Sequence, residues 1–476
     1  MRYKRILFVI PPFITRRRAP FAGIGYLSAF LSYHSIENDV IDMTVGYSIK
    51  DLFKKIDRFN PDLIGIFMMT YRHKVTYELI KQINDKYNIN VVVGGPHVSI
   101  NRSKVLEESL ADFAIKLEGE FTLKELCEGK ELDKIDGLIH RDGGKVIENR
   151  DRAFIKDLDA LPFPTYDKFE LHKYTLPDGV PIISSRGCPY SCTFCPVTKA
   201  IGQIFRMRSA ESVVKEIEYW HRRGYRKFAF QDDNFTLVKE RVHEICDLIE
   251  RRGLRGLILS LPNGVRADRV DRALLEKMKR VGFRGLAFGV EGGNDKVLRA
   301  LKKGESIETI EKAIRDACEL GFDVALFFLV GSPRETPTDV MDSVRLALKY
   351  PITHAFFYNL IPYPQTELYA WIEANHYFVK PPSTYLAEVS VDNNDPVFET
   401  PEFPLKERRA MLEYTKGVMK LIRIRSLEHR LPRFVFPRKI WARVLASEFG
   451  EKHILENKIF WKIYDSYIRC HCMRTH

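Results

Sequence analysis

Residues 184–196, SSRGCPYSCTFCP, decide how the whole chain is read. They follow a short apolar run, Pro181, Ile182 and Ile183, that reads as a strand, and they set Cys188, Cys192 and Cys195 in one loop with CxxxCxxC spacing. Three thiolates so close together suit an iron–sulfur cube: with four irons and three cysteines, one iron stays open to a substrate-like ligand, and an open iron is a catalytic iron. The competing readings are a structural zinc site short of its fourth ligand and three unrelated buried thiols. The chain holds 8 cysteines, and its first apolar run, ILFVI, is too short for a signal peptide and stops at Pro11 and Pro12. The thiols therefore read as metal ligands or core residues in a reducing cytoplasm, not as a disulfide framework.

Outward from that loop, residues 179–375 alternate strands such as KFAFQDD, LILSLPNGV, GLAFGVEGG, VALFFLVGSP and AFFYNLIPY with helical patterns such as ESVVKEIEYWHRRG and SIETIEKAIRDACELG. Repeats of this length predict a full or partial parallel β/α barrel with its chemistry at the strand C-termini. Residues 1–148 hold a second alternating series, with strands ILFVI, DVIDM, LIGIFMM and VVVGG continuous in apolar character. That pattern predicts an α/β unit with a doubly wound, Rossmann-like parallel sheet, its ligands beyond the carboxyl ends of the strands. Between the two, residues 149–178 are rich in Pro and lack a period, so they read as a linker. Residues 376–476 read as a basic helical region. At 476 residues the chain is too long for one ordinary domain. No run reaches the roughly 18 apolar residues of a membrane span. The net charge is +12, and 405–476 alone carries 17 basic against 7 acidic side chains.

With these pieces in place the sequence resembles the radical SAM superfamily. Phe194, just before the third cysteine, belongs to that motif, and further matches fall at predicted strand ends: QDDNFT with Asp232 and Asp233, GVRAD with Arg266, GVEGGND with Glu291, and LVGSPRETPTD. The resemblance implies that the open iron of a [4Fe-4S] cluster is chelated by the methionine end of S-adenosylmethionine. It also implies that one electron then cleaves the sulfonium to a 5′-deoxyadenosyl radical. Phe194, Asp232, Asp233, Arg266 and Glu291 are the implied S-adenosylmethionine contacts. A cationic amine and a diol both favour carboxylate acceptors; a helix N-cap is the alternative role for Asp233 or Asp268.

The N-terminal unit is similar to the cobalamin-binding domain that precedes the barrel in radical methylases and the anaerobic Mg-protoporphyrin ester cyclase. The similarity rests on PPF after the first strand, VVVGGPH and EGEFTLKEL, and it implies that Pro12, Thr70, Gly94, Gly95, His97, Glu118 and Gly119 contact cobalamin. Gly94 and Gly95 let a flat ring approach the backbone; a sheet that binds a nucleotide or nothing is the alternative. The DxHxxG motif that supplies an axial histidine elsewhere is absent, so His97 is assigned to binding and not to cobalt. PYPQTELY carries Gln365 where the family has Gly, which means a different backbone angle, a side chain aimed at the substrate, or plain packing. Cys470 and Cys472, with His471 and His476, sit at the chain end and read as incidental.

The resulting expectation is a cobalamin-dependent radical SAM enzyme that methylates an unactivated carbon. Radical cyclisation or oxidation without methyl transfer is the alternative within the superfamily, and a non-catalytic cobalamin-binding protein the alternative outside it. A methylthiolating enzyme would carry a second set of cluster cysteines in the N-terminal unit, where only Cys127 lies. The expected partners are a small-molecule or lipid-like substrate and an electron donor of the flavodoxin or ferredoxin type. The basic tail reads as a solvated face or, because Trp441, Leu445, Phe449, Phe460 and Trp461 interleave with Lys and Arg, as a docking surface for an anionic membrane. No recognised nucleic-acid module accompanies the charge, so nucleic acid is not an expected partner.

Overall fold

The structure is a computed structural model, and it describes residues 2–12, 19–174, 179–388, 395–431, 437–447 and 450. Its N-terminal part runs β1 (Arg5–Ile10), α1 (Ala22–Tyr33), β2 (Glu37–Asp42), α2 (Ile49–Phe59), β3 (Leu63–Phe67), α3 (His73–Asn84) and β4 (Asn90–Gly94). It continues through α4 (Pro96–Asn101), α5 (Lys104–Glu108), β5 (Phe113–Ile115), α6 (Glu120–Glu128), β6 (Leu138–Asp142) and β7 (Lys145–Glu148). The strands form one sheet in the order β2-β1-β3-β4-β5-β6-β7. Strands β1 to β5 are parallel, with Phe8 opposite both Val40 and Gly65. Their apolar side chains are buried on both faces because helices cover both. The chain winds one way to β2 and the other way through β3 and β4, so the crevice for a ligand opens at the β1/β3 switch point, beyond the strand C-termini.

The sheet is not parallel throughout. β6 and β7 add an antiparallel hairpin, turned by Gly143 and Gly144 at positive φ. Asp-Gly-Gly is the chemistry such a two-residue turn requires, and the hairpin closes an edge that the expected parallel sheet leaves open.

The second sheet is built from β8 (Val180–Ile182), β11 (Lys227–Phe230), β12 (Ile258–Val265), β13 (Phe283–Glu291), β14 (Asp323–Val330) and β15 (His354–Asn359). A two-stranded antiparallel ribbon, β9 (Ser185–Arg186) and β10 (Arg206–Met207), leads out of β8, with α7 (Val197–Ala200) between its strands. The crossovers are α8 (Ala210–Arg222), α9 (Lys239–Arg251), α10 (Arg272–Val281), α11 (Asp295–Ala300), α12 (Ile307–Glu319) and α13 (Pro337–Lys349). The order β15-β14-β13-β12-β11-β8 is parallel at every step, and β15 and β8 do not pair. This is the partial barrel expected from the repeats. Its helices start where the sequence supplies caps: Ser209 on α8, Asp271 on α10, and Thr336 with Asp339 as a capping box on α13, Pro337 in its first turn.

After β15 come α14 (Glu367–Ala374), α15 (Pro382–Glu388), α16 (Leu405–Arg430) and α17 (Arg438–Leu445). Helix α16 lies along the outer flank of β15: Phe357 N–H donates to Met419 Sδ, Arg423 meets His354, and Arg430 reaches Asp323 and Thr353. Among the described residues, no helix is long and apolar enough to cross a membrane.

The segment before β8 is Pro-rich but packed. Tyr166 OH donates to Pro181 O and Tyr174 OH to Asp42 Oδ2, and both rings are buried in a core that runs continuously from β1 to the second sheet. The C-terminal ends of the two sheets are held facing one another.

Candidate functional site

The cysteine loop leaves β9 at Gly187, where φ is +89° and a Cβ would stand 2.3 Å from Ile204 O, which excludes any side chain. Cys188 N–H donates to Gly202 O at 3.1 Å, Thr193 N–H to Leu301 O at 3.0 Å, and Leu368 N–H to Thr193 O at 2.9 Å. The loop is thus tied to its own ribbon, to α11 and to α14. Cys188, Cys192 and Cys195 are half-buried free thiols. Burial raises all three, Cys195 to about 12, and neighbouring cysteines push Cys192 and Cys195 further. Such thiols become thiolates only against a cationic centre, which is what a cluster supplies. Among the described residues, no three His, Cys, Asp or Glu side chains converge on a single ion. A cube binds each thiolate at a different corner and leaves its fourth iron open.

The strand-end residues divide into two sets. Glu291 ends β13 in the left-handed region, φ +65°, and accepts a hydrogen bond from Lys303 Nζ at 3.1 Å. Lys303 is buried and also lies 3.5 Å from Glu305, and its charge reaches Cys192. Asp233 faces the space beyond the strands, and burial and then Asp232 raise its carboxyl to about 6.

The other two are committed elsewhere. Asp232 points back under β8, accepting from Ser184 N–H at 2.7 Å and from the Ser184 and Ser185 hydroxyls. The Arg266 guanidinium binds Asp268, Lys303 O and Gly304 O and lies 3.7 Å over the Tyr190 ring. In both residues the polar atoms are engaged by the protein's own groups. Phe194 packs in a side cluster with Leu301 and Leu368.

A cavity of about 510 Å³ lies between the two sheets, within the range of small-molecule and cofactor sites. One wall comes from the first sheet, with Phe67, Gly94, Gly95, Glu118 and Gly119. The other comes from the second, with Ser185, Arg186, Gln231, Asp233 and Asn263. Gly95 is obligatory, because at φ +116° a Cβ would stand 2.8 Å from Met68 O and 3.0 Å from the Phe67 ring. Glu118 lines the cavity, but its carboxylate is held by Arg186, Arg206 and Ile155 N–H, and Arg186 also binds Glu120. It joins the two units as much as it faces a ligand.

Pro12, Thr70 and His97 do not line this cavity. His97 is 2% exposed, stacked at 4.6 Å on His73, with Nε2 at Tyr77 OH and Nδ1 at Asn101. Both ring nitrogens are engaged and burial holds the ring neutral, its pKa lowered to about 3. His97 supports the Gly95 turn from behind. Thr70 turns its carbonyl to His73. Phe13, Phe449, Phe460, Trp461, Cys470, His471, Cys472 and His476 lie outside the described residues.

The sequence reading missed four neighbours of the site. Asn234 donates to Cys188 Sγ at 3.0 Å, Tyr190 anchors the loop beneath Arg266 and Arg269, and Lys303 and Glu305 join Glu291. The one available signal was LKKGES, a charged turn between two helices too short to be solvated decoration.

Residues 182–347 match the radical SAM superfamily model and residues 18–127 the B12 binding domain model. An uncharacterized methyltransferase of Pyrococcus horikoshii is 31% identical over 394 residues, 79% of this chain and 84% of that protein. The anaerobic magnesium-protoporphyrin IX monomethyl ester cyclase of Cereibacter sphaeroides is 26% identical, over 74% of this chain and 60% of that protein. A solved structure of the cobalamin-dependent S-adenosylmethionine radical enzyme OxsB, with aqua-cobalamin and S-adenosylmethionine bound, shares the fold. Its TM-score is 0.71 at 17% identity, over 98% of this chain and 75% of that one.

Proposed function

The chain belongs to the cobalamin-binding radical SAM enzymes, related to class B methyltransferases and magnesium-protoporphyrin cyclases, and on that premise we propose that it transfers a methyl group to an unactivated carbon. The cofactors of this group are a [4Fe-4S] cluster, S-adenosylmethionine and cobalamin; when bound they supply a carbon radical that takes a hydrogen atom and a methyl group to replace it. The observation that carries the reading is the shared cavity. Its walls are the ligand-binding ends of both sheets, with the Gly95 turn on one side and, on the other, Asp233 together with Arg186 and Ile201, which flank the cysteine loop in the chain.

In this reading Cys188, Cys192 and Cys195 hold the cluster, and Asn234 donates a hydrogen bond to the Cys188 sulfur. Glu291 receives the cationic amine of S-adenosylmethionine. Lys303 donates a hydrogen bond to that carboxylate and holds it in place. Asp233 supplies an acceptor that is half-protonated near pH 6. Gly94, Gly95 and Gly119 let the corrin approach the backbone, and the apolar wall around Phe67 excludes water. The protein's part is positioning and exclusion. The group requires a reductant, here of the flavodoxin or ferredoxin type.

The test is anaerobic reconstitution of the full chain, with about four irons per chain expected and 5′-deoxyadenosine formed from S-adenosylmethionine and reductant. Cys192→Ala should lose both. Metabolites that accumulate when the coding sequence is deleted are then incubated with the enzyme and methyl-deuterated S-adenosylmethionine. A labelled methyl gain supports methyl transfer; a product that carries no label assigns radical cyclisation or oxidation instead.

A further inference from the structure

We infer that α17 is a docking element that seats this protein on an anionic phospholipid bilayer. Its eight residues, RKIWARVL, carry one buried apolar pair and one exposed apolar stripe. Ala442 and Leu445 are buried against Leu427 of α16. Ile440, Trp441 and Val444 face outward, 57%, 46% and 36% exposed. At 100° per residue these three lie within one arc of about 100°, so they form a stripe and not scattered points. Isolated exposed apolar residues need no explanation, but a stripe holding a tryptophan does.

The flank of that stripe selects the partner. Lys439 and Arg443 are exposed on the same helix, with Arg438 beside them, and α17 has no acidic residue. The adjoining α16 exposes Leu421 at 40% with Lys420 and Arg425 beside it. A protein partner with an apolar pocket would leave these cations uncompensated unless it were also acidic. An anionic bilayer answers both parts at once: the tryptophan and aliphatic side chains enter the headgroup boundary, and Lys and Arg stay at the phosphates. No described helix can span a bilayer, so the attachment is peripheral. Ile440 and Val444 make no contribution to the core, so polar substitutions there leave the fold intact. The inference is independent of the cofactor chemistry.

The experiment is sedimentation of the full chain with vesicles of phosphatidylglycerol or of phosphatidylcholine, together with tryptophan emission. The wild type should bind the anionic vesicles at least tenfold more tightly, with a blue shift and with weakening between 0.1 and 1 M salt as charges are screened. Ile440→Asp with Val444→Asp should weaken binding at least tenfold, and Trp441→Phe should abolish the blue shift while the protein still sediments. Equal binding to both lipids, or unchanged binding of the double variant, overturns the inference. So does a wild-type dimer in sedimentation velocity that the double variant dissociates, since the stripe would then be covered by a second copy.

Discussion

Gln365 occupies a left-handed backbone position, φ +65°, and its side-chain amide donates to Ile100 O on α4 of the first unit. A side chain there costs roughly 1–2 kcal/mol, and the hydrogen bond across the two units offsets it. The backbone angle is the one a glycine would take, so what this residue adds is the tether. Gln365→Ala keeps the strain and loses the bond, whereas Gln365→Gly loses both; in urea unfolding the Gly variant should be the more stable of the two by about 1 kcal/mol. Glu335 is another isolated decision: it is fully buried, accepts from Gly331 and Ser332 N–H, and burial raises its carboxyl from 4.5 to about 7. The folded state then binds a proton that the unfolded state has released. Its contribution to stability therefore falls as pH rises from about 4.5 to about 7, and Glu335→Gln should flatten the stability profile across that window. Asp232 and Asp233 show why such assignments escape a sequence. Adjacent residues at a strand end point to opposite sides, and only the register against β8 sends Asp232 to Ser184 and Asp233 to the cavity. The three cysteines of the loop were legible as a set because their spacing is local; Lys303 was not, because its partner Glu291 lies across a helix and a turn.

At the scale of elements, the turn between β4 and α4 carries the most consequence for binding. Gly95→Ala would drive a methyl group into Met68 O and the Phe67 ring, which line the same cavity wall or stand behind it. The turn must shift outward, so retention of cobalamin on gel filtration, read from visible absorbance, should fall at least tenfold. Gly417→Ala on α16, which meets nothing within 4 Å and does not line the cavity, should retain it. Long parallel strands and their crossover helices could be read from the sequence because apolar runs of five to nine residues and caps such as Thr336 with Asp339 are strong local signals. The β9 and β10 ribbon could not, since two residues per strand cannot show a period. The β6 and β7 hairpin announced itself only through Asp142, Gly143 and Gly144, and its antiparallel sense depends on pairing with β5.

Across the whole molecule, the two units are locked by Glu118 and Glu120 on one side and Arg186 and Arg206 on the other, all at most 12% exposed at the side chain. Partners 66 to 88 residues apart leave no trace in a linear pattern. Arg206→Ala leaves Glu118 with Arg186 and the Ile155 N–H but removes charge-assisted hydrogen bonds, so it should destabilise by about 2 kcal/mol and speed proteolysis within 149–174. Cobalamin should bind more weakly while iron content is unchanged, because the cysteine loop does not use Arg206 directly. The six strands of the second sheet also never join: β8 and β15 stand apart, and α16 borders the gap along β15. Helix α16 lies beyond the matched radical SAM segment. The outer edge of β15 is therefore covered by a helix and not paired with β8, so changes in α16 act on that edge without touching the cysteine loop or the glycine turn.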